Sequence, residues 1–515
     1  MAVVANSRLF LIAQVLSAVL LLQHGFALEP NPPATLTELQ QRIVDHVSQR
    51  KFSAALWGVK IVSLDTGRTL FEHNAGKLFS PASNAKLYTT ALALDRLGPD
   101  YRIRTSLYAA ARPNRRGALE GDLILYGRGD PTISARLHHG DLQSALMPLV
   151  TALTNSGVKR IQGDLVGDTS FFRGAAFGAG WAWDDLGYYY GAEVSPLTIN
   201  DNTLPVTVRP GTRRGAPCEV TVAFAPACLT FRNRTETIEK GGMQSIQLFR
   251  SLDQNVVYVS GRMPMDDAGF TEPIPVRHPA ELFISMLQEV LGRYGIQVKG
   301  RLRTVNWLDR QVEPMNCARM VELGATESLS MSQILREVQK ISQNLYTDLL
   351  LAHIGEHSRI ASDDPNLTSE ELGIRELNKF LAEAGVQSGE VLFEEGSGLS
   401  RNNLTTPNAT VALLRDMSRH QCSATYLEVL PVAGIDGSLH QRMKGTLAAG
   451  NVRAKTGSLR WANSLSGYVT TASGERLAFS VMLNRYHNTS STISTGEELD
   501  AIPVLLAQFT GRSDP

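Results

Sequence analysis

Two apolar rhythms alternate along the chain, and where one gives way to the other the sequence divides into segments. Thr35 and Glu38 form a capping box that predicts a helix running to Gln49. Residues 56–64 read as a strand, and Asp65-Thr66-Gly67-Arg68 as the turn into Thr69-Leu70-Phe71. Leu87, Ala91, Leu94 and Leu97 keep near-helical spacing, predicting a helix from about Ser83 to Leu97 that Gly98-Pro99 stops. From about 104 to 270 the texture changes to short strands, many glycines and turn dipeptides, as in Gly121-Asp122-Leu123-Ile124-Leu125-Tyr126-Gly127. That block reads as a separate, mostly β region. Helical spacing resumes over 279–291 and again from 331 to about 353, with a helical stretch ending at Lys340. Residues 452–455, 464–471 and 476–483 then form a β-meander, and 499–509 a closing helix. No internal repeat stands out.

The first thirty residues read as a processing signal. Arg8 precedes a 14-residue apolar run broken only by Gln14 and Ser17, and Gly25-Phe26-Ala27 places small residues where a signal peptidase reads. The run is short for a membrane span, and Pro30, Pro32 and Pro33 follow at once. The expectation is an exported chain cleaved after about Ala27. No cysteine near that point invites a lipid anchor, and 508–515 lacks an amphipathic one, so no stable membrane anchor is expected.

Composition narrows the class. At 515 residues, 43% hydrophobic and 19% charged, the chain is globular, with a length prior of about three domains. Lys+Arg and Asp+Glu both number 50, so no general field gathers nucleic acid. Export permits disulfides. Cys218 and Cys228 bracket a strand-like stretch and are expected to bridge, whereas the pairing of Cys317 and Cys422 stays open. The C-x-x-C spacing of zinc and redox sites is absent.

Candidate chemistry begins with serine three residues before lysine on a helix, which puts hydroxyl and amine on one face. The pattern occurs at Ser48…Lys51, Ser83…Lys86 and Ser156…Lys159. Only Ser83 opens an apolar helix, whose N-terminus favours negative charge on the oxygen and whose burial would lower the Lys86 pKa. Ser342-Gln343-Asn344 supplies a second hydroxyl and an amide, although Ser400-Arg401-Asn402 matches the same S-x-N pattern. Lys455-Thr456-Gly457 occurs once, on a strand, where the lysine can point into a cleft and the glycine can let a substrate backbone lie close.

In the order S-x-x-K, S-x-N, K-T-G, this set resembles the penicillin-recognising serine transferases and peptidases. The nearer resemblance is to class C low-molecular-mass penicillin-binding proteins, the D-alanyl-D-alanine carboxypeptidase/endopeptidase family. It covers nearly the whole mature chain. Gly129-Asp130-Pro131-Thr132, Gly396-Ser397-Gly398-Leu399-Ser400-Arg401 and Asp436-Gly437-Ser438-Leu439 agree with it, while Glu395 stands where the family commonly has Asp. The resemblance implies an α/β (α+β) fold, with a penicillin-binding/β-lactamase-like transpeptidase domain at 28–103 and 271–515. That domain would have an antiparallel sheet flanked by helices, and 104–270 would be a mostly β insertion of two small domains.

It also implies roles. Ser83 would be the acylated nucleophile, Lys86 its base and Ser342 the proton relay, with Asn344 holding Lys86 and the substrate amide. Lys455 and Thr456 would bind the terminal carboxylate, beside Gly457, and the N–H groups of Ser83 and Ser458 would form the oxyanion hole. In the inserted segment Trp181-Ala182-Trp183-Asp184-Asp185, Asp185 would meet a side-chain amine of the stem peptide, with Tyr190 nearby. On spacing alone that segment reads as a packed aromatic core with a solvated acid. Arg401 would bind the side chain's carboxylate as a fork, with Ser397 and Leu399 in the same stretch; Arg460, where the family often has Gln, has no assigned role. Peptidoglycan stem peptides and β-lactams would be the ligands, the location periplasmic, no cofactor or metal involved, and a homodimer is left open.

Rivals weigh less. His353-Ile354-Gly355-Glu356-His357 matches H-x-x-E-H, but Gly355 weakens the helix that would present both imidazoles. A β-lactamase would need an E-x-x-L-N motif, and an α/β-hydrolase G-x-S-x-G; neither occurs. A catalytically idle peptidoglycan-binding scaffold would have no need of the intact serine, lysine and threonine set.

Overall fold

In the computed structural model, which describes residues 31–222, 229–252, 254, 256–488 and 494–514, the two ends of the chain share one sheet. Its five antiparallel strands run in the order Arg453–Leu459, Ala462–Thr470, Arg476–Asn484, Leu56–Ser63, Thr69–His73. The first strand of the chain therefore pairs along its whole length with one more than 400 residues later, Leu56 opposite Asn484 and Ser63 opposite Leu477. Alternation along Arg476–Asn484 sends Phe479 and Val481 into one core and Ala478 into another. On one face lie helices Leu36–Val47 and Thr495–Gln508, contributing Leu39, Ile43, Ile502 and Leu506. On the other lies a helical layer around Ala85–Arg96, with Tyr88, Leu92, Tyr346 and Leu350 buried in it. Sandwiched between layers, strand Arg476–Asn484 is buried at every position after the first, which is why it reads so plainly.

The cap at Thr35 forms with a shift. Thr35 Oγ1 accepts the Glu38 N–H at 3.2 Å, but the Glu38 carboxylate reaches the Ala34 N–H, one residue upstream of the reciprocal partner, and the helix ends at Val47. The 331–353 period resolves into two helices, Met331–Lys340 and Asn344–Ser358, with Ser342 in the left-handed region (φ 63°) at the break. Both helices pack into one core, so the apolar spacing continues across a break that no Gly or Pro announces.

The expected boundary at 270/271 requires correction. Strands Leu302–Val305 and Val321–Glu327 join a five-stranded sheet whose other members are Leu165–Asp168, Leu123–Tyr126 and Arg104–Ala109. Helix Pro279–Arg293 packs with Leu142–Asn155 on that sheet, so the inserted unit runs from about 104 to 327, and this part of it is α/β and not mostly β. The sheet closes by parallel pairing of 302–305 with 165–168, a partnership far apart in sequence that no local change of texture reveals. A separate cluster, Val206, Val208, Val257, Val259 and Ile274, holds two three-stranded sheets between residues 203 and 275.

Candidate active site

Ser83 lies on a tight turn, Ala82–Asn84, that leads directly into helix Ala85–Arg96. Two glycines let the rest of the protein close on this turn. A Cβ on Gly398 (φ 83°) would sit 1.9 Å from the Ala82 carbonyl oxygen, and Ala82 itself has φ 47°. A Cβ on Gly457 would sit 2.5 Å from the Pro81 oxygen and 2.2 Å from Ser464 Oγ. Gly457 thus makes room for the nucleophile turn, not for a substrate backbone as expected. Asn84 Nδ2 donates to the Lys455 carbonyl at 2.9 Å, and Ser464 Oγ to that of Pro81 at 2.6 Å, fastening turn to strand.

Lys86 is completely buried. Its Nζ lies 3.0 Å from Ser83 Oγ and donates to Asn344 Oδ1 and the Ser397 carbonyl, each at 2.6 Å. A neutral amine has two N–H bonds and one lone pair. The two fixed acceptors take both N–H bonds, and the lone pair is left for the serine hydroxyl. Burial lowers the Lys86 pKa to about 8, opposed first by the nearby Glu395.

Lys455 is equally buried, beneath the cleft wall and not projecting into the cleft. Its Nζ donates to Ser342 Oγ and to the Thr456 carbonyl, both at 2.8 Å. Burial first and the Lys86 charge second push its pKa well down. Thr456 Oγ1 donates to Ser438 Oγ at 2.8 Å. Ser438, in the Asp436-Gly437-Ser438-Leu439 stretch, went unassigned in the sequence; its only signal was the stretch itself. Ser397 is corrected too. It is fully buried behind the cleft, its hydroxyl tied to Glu395, and only its carbonyl serves the site through Lys86.

The cleft above, of about 730 Å³, is lined by Ser83, Ser342, Asn344, Leu399, Arg401 and Ser458 below and by Trp183, Asp185 and Tyr190 above. The aromatic-acidic segment inverts its spacing-based reading: Trp183 is 72% exposed and Asp185 is the buried member. Burial raises the Asp185 pKa, while Arg401, the Ala182 N–H and Arg460 pull it back. Arg460 therefore belongs to this charged corner. Tyr190 reaches the S-x-N motif through its backbone: its carbonyl accepts from Asn344 Nδ2 at 3.0 Å, and its ring stacks on Tyr188 at 5.3 Å. Arg250, unremarked in the sequence, ties the upper wall to its neighbouring strand by donating to the Leu186 carbonyl at 2.7 Å.

The H-x-x-E-H residues have other partners. Tyr101 Oη lies 2.9 Å from Nε2 of both His353 and His357, His353 Nδ1 faces the Arg128 carbonyl, and Glu356 pairs with Arg359. Among the described residues no cluster of three or more His, Cys, Asp or Glu suits a metal. Ser156 Oγ donates to the Leu323 carbonyl and Ser48 caps the first helix, so neither belongs to the site. The Cys218–Cys228 pairing and the leader over 1–27 both lie outside the described residues. Cys317 is an exposed free thiol and Cys422 a buried one.

Known proteins show the same arrangement of elements. A D-alanyl-D-alanine carboxypeptidase of Actinomadura sp. (strain R39) is 33% identical over 497 residues, 94% of this chain and 87% of that protein. The D-alanyl-D-alanine carboxypeptidase DacB of Haemophilus influenzae is 25% identical over 429 residues, 82% of this chain and 84% of that protein. The crystal structure of penicillin binding protein 4 (dacB) from Haemophilus influenzae superposes with a TM-score of 0.74 at 24% identity, covering 90% of this chain and 97% of that one. The family profile described as D-Ala-D-Ala carboxypeptidase 3 (S13) matches residues 39–505, and this chain belongs to that family.

Proposed function

We propose that this protein is a serine D-alanyl-D-alanine carboxypeptidase of peptidoglycan stem peptides, acylated by penicillins at the same serine, and also a D,D-endopeptidase. The observation that carries the reading is the Lys86 amine, held by Asn344 and Ser397 with its lone pair toward Ser83. Ser83 Oγ attacks the carbonyl carbon of the penultimate D-alanine as Lys86 takes its proton. The backbone N–H groups of Ser83 and Ser458 receive the oxyanion, a contribution of about 3 kcal/mol per donor. The Ser342 hydroxyl passes a proton to the departing amine and is resupplied from Lys455, its 2.8 Å neighbour. D-alanine leaves, the proton that Lys86 took from Ser83 passes through Ser342 to Lys455, and Lys86, neutral again, takes a proton from water as it attacks the ester and returns it to Ser83 Oγ. The terminal carboxylate is received by the Thr456 and Ser438 hydroxyls, with the Lys455 charge beneath them. Side chains and water balance every step.

Asp185 and Arg401 receive the amine and carboxylate of the stem peptide's diaminopimelate, which is what a cross-bridge also presents. Export by the leader over 1–27 places the enzyme with its substrate in the periplasm, and N-terminal sequencing of the secreted form tests the cleavage site. Among the described residues no helix is long and apolar enough to cross a membrane. Purified protein should release D-alanine from a pentapeptide ending in D-Ala-D-Ala and cut a cross-linked muropeptide dimer. Benzylpenicillin should block both. An idle scaffold would do neither, and release of D-alanine that penicillin leaves untouched would overturn the shared serine.

A further inference from the structure

Behind Lys86 lies a pair of carboxyls that the steps above do not use. Asp348 sits one turn beyond Asn344 on its helix and is 4% exposed; Glu395 is fully buried. Together they hang the loop whose carbonyl grips the Lys86 amine. Asp348 Oδ1 accepts the Gly396 N–H at 3.2 Å. Glu395 is far better supplied: it accepts the N–H groups of Ser397 (2.8 Å), Gly398 (2.7 Å) and Ser400 (3.3 Å), Asn403 Nδ2 (2.7 Å) and the Ser397 hydroxyl. Asp348 Oδ2 is buried with no donor in reach, and burial first and the Glu395 carboxyl second disfavour an ionised Asp348. Two carboxyls can share a hydrogen bond only if one of them holds a proton, and two buried like charges in contact do not both persist.

We propose that Asp348 is protonated and donates to an ionised Glu395, and that the single charge of this pair is the counter-ion that sets the basicity of Lys86. The many donors on Glu395 keep the charge there, and the scarcity of donors on Asp348 keeps the proton there. The inference rests on Lys86 being the base. Other charged groups face the pair and the amine: Lys455 on its strand, and Glu370 on helix Ser369–Glu383 with Glu371 and Glu394 beside it. Burial and the Glu395 charge push Asp348 well above the ordinary carboxylate range, and burial raises Glu370 to about 8, so neither adds a lasting negative charge at neutral pH. Asp348 and Glu395 are positioning residues; neither touches the substrate.

The test is the acidic limb of the rate of acylation by benzylpenicillin against pH. In Asp348→Asn an amide N–H replaces the carboxyl O–H toward Glu395 and the charge is unchanged, so the limb should stay where it is in the wild type. In Asp348→Asn/Glu395→Gln the charge is gone, the ammonium form of Lys86 loses its partner, and the limb should move to lower pH by about 1–2 units. A limb that moves in Asp348→Asn alone would mean both carboxyls carry charge, and the proposal would fall. Should the double variant not fold, infrared spectra decide. Wild type at neutral pH should show, beside the C=O stretch of protonated Glu370, a second protonated-carboxyl band that is missing from the difference spectrum of Asp348→Asn; wild-type and Asp348→Asn spectra that match in this region overturn the proposal. Failure of the underlying reading looks different. Lys86→Ala would then acylate as fast as wild type, whatever the infrared band does.

Discussion

The floor and the roof of the cleft come from opposite parts of the chain and are built to opposite standards. The floor, on the shared sheet and the Ala85–Arg96 helix, holds Lys86, Lys455 and Ser397 at zero exposure, each with two or more fixed partners. The roof comes from the inserted unit and leaves Trp183 72% exposed and Tyr188 and Tyr189 about half exposed. A buried, fully partnered floor suits acyl transfer, where a misplaced amine costs rate. An open roof whose one buried acid, Asp185, faces Arg401 and Arg460 of the floor suits choosing among side chains. The division teaches that chemistry is carried by the floor alone and selectivity by the corner where the roof's acid meets the floor's arginines, and each can be perturbed alone.

The sharpest break is at the nucleophile. Ser83→Ala should lower D-alanine release by at least about 10,000-fold and abolish penicillin labelling. Ser48→Ala and Ser156→Ala should match wild type in both assays.

Glycines separate the layers next. Gly398→Ala would force a Cβ to within 1.9 Å of the Ala82 carbonyl at a positive φ, and should cost about 3 kcal/mol or more in chemical denaturation, with acylation impaired in the folded fraction. Gly187, in the roof, has open space around its would-be Cβ, so Gly187→Ala should stay within about 0.5 kcal/mol of wild type. Equal losses would mean that the floor is no more tightly built than the roof.

The base should be visible in the pH profile. The pKa of Lys86 is near 8 because burial disfavours its ammonium form, and only the neutral amine accepts the serine proton. The rate should therefore rise with pH and level off above about 8, running roughly 100-fold slower two units below that point. A profile flat from pH 6 to 9, pH values chosen to span about one unit or more on each side, would remove Lys86 from the role.

The smallest effects belong to the charged corner where roof and floor meet. Asp185→Ala and Arg401→Ala should each weaken hydrolysis of diaminopimelate peptides by about 1–3 kcal/mol while leaving acylation by simple penicillins near wild type. Parallel losses toward both compounds would make these residues part of the fold instead of the selector.

The same division governs what the sequence discloses. The floor is legible because its motifs are local: a serine and lysine three apart on an apolar helix, and a K-T-G on the first strand of a meander, need no distant knowledge. What escaped is how the motifs meet. Gly457 read as room for substrate because its neighbour, the Pro81 carbonyl, lies more than 370 residues away, and Ser438 had no role until Thr456 was seen to donate to it. Asp348 escaped as well, since a carboxyl inside an apolar helix signals nothing until Glu395 lies against it. In the roof, spacing alone buried the wrong residue of Trp183 and Asp185. The boundary at 270 failed for a related reason, because a parallel strand pairing carries no local mark.

One measurement bears on the whole account more directly than any other: peptide mapping by mass spectrometry after exposure to benzylpenicillin. The account predicts a single penicilloyl adduct, on the peptide that contains Ser83, in wild type, Asp185→Ala and Arg401→Ala alike, and none in Ser83→Ala. An adduct on any other residue, or one that survives in Ser83→Ala, would contradict it.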